Sequence, residues 1–165
     1  MSIFEKVIDS LNRTEARYVV VGQVAGVLHG YDRFTSDLDL TLDFAPRSIE
    51  LLAEALDKLG LKPRVPIAIT DLADSSKRTD WINNKNAKVI TLYHPAFPAF
   101  AVDILLCPTV PFDELFAQSK LIPIGTISAR IASLPHLIRL KEGTGREKDE
   151  ADIKMLRVLL ERQKS

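Results

Sequence analysis

Apolar residues recur along this chain in two periods. Ile3, Phe4, Val7, Ile8 and Leu11 fall on one face of a helix within residues 3–15. The run Tyr18-Val19-Val20-Val21 is apolar throughout and predicts a buried strand. Gly22 breaks that strand, Val24 to Leu28 is apolar and helix-sized, and Gly30 closes a turn. The period then changes. Asp37, Asp39, Thr41 and Asp43 alternate with Leu38, Leu40, Leu42 and Phe44. Strict alternation predicts a strand with one apolar and one acidic face.

Further on, Pro46 starts a helix carrying Ile49, Leu51, Leu52, Ala55, Leu56 and Leu59, with Gly60 suited to its C-terminal end. Residues 61–69 read as extended and are broken by Pro63 and Pro66. Residues 70–86 are polar and predict a loose helix and loop, with Trp81 as an anchor. Residues 88–93 and 100–106 read as strands of a hairpin around the turn His94 to Pro98. Phe112 to Ala117 is a short helix, and Leu121 to Ile124 a short extended piece. Ser133 caps a helix beginning at Pro135, the Gly143-Thr144-Gly145 run breaks it, and Asp149 is the expected cap of a last helix carrying Ile153, Leu156 and Leu160. The expected fold class is α+β: a mixed central sheet of four to five strands flanked by helices. We expect a single domain over 1–165, with a core at about 1–125 and a helical C-terminal segment at about 130–165.

Composition narrows the function. At 165 residues and 46% hydrophobic content, the chain can build one sizeable core. Lysine plus arginine balance aspartate plus glutamate at 22 each, so no whole-molecule field draws in nucleic acid or an anionic membrane. Cys107 is the only cysteine, which excludes an internal disulfide and fits a reducing cytoplasm. No secretory signal and no apolar run of membrane-spanning length are visible. His29, His94 and His136 have no zinc spacing, and the glycines are not followed by the Lys-Ser/Thr of a Walker loop.

The chemistry lies in the carboxylates. Asp37 and Asp39 point the same way on one strand, with Cα atoms ~6–7 Å apart. Carboxylates that close repel each other, and a hard divalent ion relieves the repulsion while leaving room for phosphate oxygens. Asp103 sits among Val102, Ile104, Leu105 and Leu106, where a lone charge is costly unless it is paired or bound to a cation. Each pattern alone also fits a solvated strand face.

Together these residues resemble the nucleotidyltransferase superfamily related to DNA polymerase beta. The carrying pattern is a strand, a glycine turn, a short helix, Asp-x-Asp on a strand and a third Asp on a later strand. The run Ala25-x-x-x-His29-Gly30-x-x-Arg33-x-Thr35-x-Asp37-Leu38-Asp39-Leu40 is similar to the small bacterial branch containing toxin-like members. So is Leu137-Ile138-x-Leu140-Lys141 followed by Gly145-Arg146-x-Lys148-Asp149-x-x-Asp152. The resemblance implies Mg²⁺, with Mn²⁺ as substitute, held by Asp37, Asp39 and Asp103 against a nucleoside triphosphate. Asp103 would also help deprotonate an acceptor hydroxyl. Gly22 and the start of the next helix would cradle phosphates through backbone N–H groups, as helix N-termini and glycine turns do. Arg33, Thr35 and Ser36 belong to the same implied nucleotide-binding set. Lys141, Arg146 and Lys148 would neutralise leaving pyrophosphate. Gln23 departs from the pattern, since the family carries Gly or Ser there. The expected partners are an NTP and an acceptor that is a small molecule, a protein or an RNA end. The rival reading is a non-catalytic binding module or toxin–antitoxin component that engages a protein partner.

Overall fold

The computed structural model describes residues 1–165. Helix α1 (Ile3–Asn12) opens the fold, with Ser2 and Glu5 closing its N-terminus reciprocally. It is followed by β1 (Tyr18–Val21), α2 (Gly22–Leu28), β2 (Asp37–Leu42) and α3 (Pro46–Lys58). Next come β3 (Lys62–Pro63), a 3₁₀ turn over Ile69–Ala73, α4 (Ser75–Lys85), β4 (Val89–His94) and β5 (Phe97–Leu105). The chain ends with α5 (Phe112–Ala117), β6 (Lys120–Ile124), β7 (Ile127–Ile131), α6 (Leu134–Glu142) and α7 (Glu147–Lys164).

All the strands belong to one mixed sheet, in the order β3-β4-β5-β2-β1-β7-β6. β1 is antiparallel to β2 and parallel to β7, while β2 runs parallel to β5. The sheet has seven strands, not four to five. The additional ones are β3, two residues long, and β7, whose Ile127, Ala129 and Ile131 alternate with Ser128 and Arg130 over too short a span to stand out. The sheet therefore runs to Ile131.

The region 70–86 is more regular than its polarity suggests. Asp74 caps α4 by accepting from the N–H groups of Ser76 (2.9 Å) and Lys77 (3.2 Å). Trp81 is its buried anchor. At the other end of the chain α7 begins at Glu147, so Asp149 lies inside the first turn and is not the cap; Arg146 holds that position. Ser133 does cap α6, accepting from His136 N–H at 3.4 Å.

The core explains the alternation in β2. Leu38, Leu40 and Leu42 are buried with Val19, Val20, Val102 and Ile104 and with the apolar faces of α1 and α3. Asp37 and Asp39 are left on the opposite side, exposed and half-buried respectively. Helices α6 and α7 pack on each other, and α6 reaches α2, closing that side of the sheet.

Candidate active site

The parallel pairing of β2 with β5 puts Asp39 directly beside Asp103, two residues along from the Asp37–Ala101 pair. The antiparallel pairing of β5 with β4 puts Thr91 on the other side of Asp103. The Thr91 hydroxyl donates to Asp103 Oδ1 at 2.6 Å. Directly opposed residues share a face, so Thr91, Asp103 and Asp39 form one polar row across three strands.

Gly22 makes room for this row. Its φ is +66°, and a Cβ there would stand 2.1 Å from Asp39 Oδ2. Both the backbone conformation and the space exclude a side chain. Burial pushes the Asp39 carboxyl up from 3.8 to about 6, helped by the charges of Asp103 and Asp37; Lys141 and the backbone N–H of Gln23 offset part of this.

Asp39 and Asp103 of this row line a cleft of about 770 Å³, and Thr91 supports Asp103 from outside that lining. Gly22, Gln23, Arg33, Thr35, Asp37, Asp39, Asp103, Lys141, Arg146 and Lys148 all line it. Ser36 stands outside the lining, with its hydroxyl 3.4 Å from Asp37 Oδ1. Thr35 Oγ1 closes the turn into β2 by accepting from Asp37 N–H at 3.3 Å.

The expected phosphate-binding cations are mostly engaged already. Arg33 donates to Asp152 Oδ1 at 2.6 Å, and Lys141 reaches Asp152 at 3.0 Å and Asp149 at 3.4 Å. Arg146 holds Asp149 at 2.7 Å. Tyr31 also donates to Asp152 (2.8 Å), and Thr144 to Asp149. The two aspartates are only 2% and 3% exposed. Burial alone would raise both carboxyls. Their partners reverse this and hold them below the usual range: Thr144, Arg146 and Lys141 for Asp149, and Lys141, Tyr31 and Arg33 for Asp152. Lys148 is in no ion pair, nor is Lys88, which also lines the cleft.

Sequence reasoning named neither Asp149 nor Asp152 as part of the site, nor Thr91, Lys88 and Phe34. One signal was readable: Asp149 and Asp152 fall on the same stripe of α7 as the buried Leu156 and Leu159, where an aspartate requires a cation.

Asp37, Asp39 and Asp103 do not form a closed metal cage, and no group of three His, Cys, Asp or Glu side chains in the chain does. Their donor chemistry nevertheless fits a hard divalent ion. All are oxygen ligands, and the raised carboxyl of Asp39 marks negative charge that the protein itself does not fully neutralise.

No family model matches this sequence, and no curated protein matches it by sequence. Solved structures do match its shape. LnuA, a lincosamide antibiotic adenylyltransferase solved with lincomycin bound, superposes with a TM-score of 0.61 at 16% identity, over 94% of this chain and 95% of LnuA. ANT(2″)-Ia, solved with adenylyl-2″-tobramycin, gives 0.61 at 12% identity over 99% and 90%. A candidate nucleotidyltransferase from Thermotoga maritima, TM1012, gives 0.59 at 17% identity over 94% and 91%. This is the nucleotidyltransferase fold. At these identities the likeness is one of fold, and it extends over nearly the whole length of each chain. In this nucleotidyltransferase fold, the β2–β5 pairing supplies the carboxylate row and α6–α7 supply the cationic wall. No helix is long and apolar enough to cross a membrane.

Proposed function

We propose that the protein transfers a nucleoside monophosphate from an NTP to a hydroxyl group of a small-molecule acceptor. The observation that carries this reading is the pair Asp39–Asp103, beside Asp37, in a cleft that Lys141, Arg146 and Lys148 also line. Asp37, Asp39 and Asp103 would hold Mg²⁺. When bound, that ion supplies charge neutralisation at the phosphate oxygens and the attacking hydroxyl.

The chain's own residues do the rest. Asp103 has one carboxylate oxygen fixed by Thr91, which leaves the other to take the proton of the acceptor hydroxyl. The freed oxygen attacks the α-phosphorus, and the bond to the bridging oxygen of pyrophosphate breaks in line. Lys148, which has no carboxylate partner, and Lys141 face the departing negative charge. Small-molecule acceptors fit a cleft of this volume, and LnuA and ANT(2″)-Ia were solved with such compounds.

One observation favours the rival, a nucleotidyltransferase-fold module that binds without catalysing. Arg33, Lys141 and Arg146 already have carboxylate partners in Asp149 and Asp152. The deciding experiment incubates the protein with each α-³²P-labelled NTP, Mg²⁺ and a cell extract. Label transferred to an acceptor by the wild type and not by Asp103→Asn supports the enzyme. No transfer, with no rise in melting temperature at millimolar NTP, supports the module.

A further inference from the structure

Phe34 is the large apolar side chain that the fold leaves most exposed. It is 90% exposed, whereas the next, Met1 at the chain terminus, is 66%. Its segment is nevertheless held on both sides. Tyr31 and Arg33 are fixed on the buried Asp152, at 2.8 and 2.6 Å, and Thr35 is fixed on Asp37. The ring therefore forgoes the burial that stabilises most phenylalanines, at a position its neighbours determine. It lines the cleft, and it is the only aromatic side chain that does.

We infer that Phe34 is the platform on which the nucleobase of the bound NTP stacks. This rests on the nucleotidyltransferase reading above and adds a base-binding residue to it. The rest of the wall offers cations, carboxylates, hydroxyls and a few aliphatic groups, none of which presents a flat apolar face. Every base has a π-face, so stacking tolerates any base and strengthens with ring area. The site accordingly takes ATP and GTP alike and prefers both to UTP and CTP.

The test uses the full chain with Mg²⁺ and three ligands: ATP, UTP and inorganic tripolyphosphate, which has no base. Phe34→Ala, at an exposed position, should keep the wild-type melting temperature. It should weaken ATP binding about tenfold or more, weaken UTP binding less, and leave tripolyphosphate binding unchanged. Phe34→Trp should keep ATP affinity, and its new emission should be quenched by ATP but not by tripolyphosphate; the native Trp81 is buried in α4 and serves as a constant background. Wild-type affinity for ATP in Phe34→Ala overturns the inference. So does an equal loss of ATP and tripolyphosphate binding, which would place the effect in the loop and not on the base. A wild type that binds none of the three ligands overturns the nucleotidyltransferase reading itself.

Discussion

The carboxylate of Asp39 occupies the space that a side chain on Gly22 would need, so the glycine turn and the acidic strand can only be built together. Gly22→Ala should cost about 2–4 kcal/mol, combining left-handed strain with displacement of Asp39. In an Asp39→Gly background the same change should cost only about 1–2 kcal/mol, the strain alone. Urea unfolding of the four proteins in this cycle measures the coupling; additive costs would contradict it.

Asp39 is destabilising in the ligand-free protein. Its folded carboxyl titrates at about 6 and its ordinary value is 3.8, so the fold holds that proton more tightly than the unfolded chain does. The penalty is absent below about pH 4, grows as pH rises through about 6 and is constant above that. Asp39→Asn should therefore stabilise the free protein by about 1–3 kcal/mol at pH 7 and by much less at pH 4. It should also abolish the stabilisation by Mg²⁺–NTP. Melting curves at the two pH values, with and without ATP, check both parts.

Asp103→Asn should reduce transfer by about 100-fold or more, because an amide cannot take the acceptor proton. Nucleotide binding should persist, since the amide oxygen can still accept from Thr91. Asp37→Asn should instead weaken Mg²⁺–NTP binding. Calorimetry and transfer assays on both variants separate the two roles.

Asp152 joins three pieces of the chain, and Asp152→Ala should destabilise by about 3 kcal/mol or more. It strands Lys141, whose side chain is only 18% exposed, without its nearer partner. The lowered carboxyls of Asp149 and Asp152 contribute stability that is present above the ordinary carboxylate range and lost as pH falls through their folded values. Acid unfolding should thus be less steep in Asp152→Asn. In Asp152→Ala, hydrogen exchange should also quicken at residues 31–36, which Tyr31 and Arg33 no longer hold.

Gln23 lines the cleft where the resembling family has a small residue. Its backbone N–H supports Asp39, and any residue but proline supplies that group. Gln23→Ser should leave ATP affinity unchanged or improved by titration calorimetry. Loss of binding would make the Gln23 amide a direct ligand.

The parts of this fold that were legible in the sequence are the local ones. The period change between Val21 and Asp37 marks strand, turn, helix and acidic strand because burial on one face writes alternation directly into β2. The hairpin of β4 and β5 is readable for the same reason. β7 was not, because five residues of alternation carry little signal and its parallel partner β1 lies more than a hundred residues earlier. The pairing of Asp39 with Asp103 is a matter of register, which no local pattern encodes. The buried ion cluster was hidden differently. Lys141, Asp149 and Asp152 look like an ordinary charged helix junction until α6 and α7 pack and take them largely out of water.

The neighbouring strands that carry Asp39 and Asp103 are separated along the chain by α3, α4 and β4. Closing that long loop is a slow, non-local event, and no hairpin or helix formed early contains both carboxylates. Capacity for Mg²⁺–NTP should therefore appear during refolding only after β2 and β5 have met, later than most of the helical signal. A nascent or partly unfolded chain would be unable to sequester nucleotide, so activity in this protein would begin with completion of the sheet.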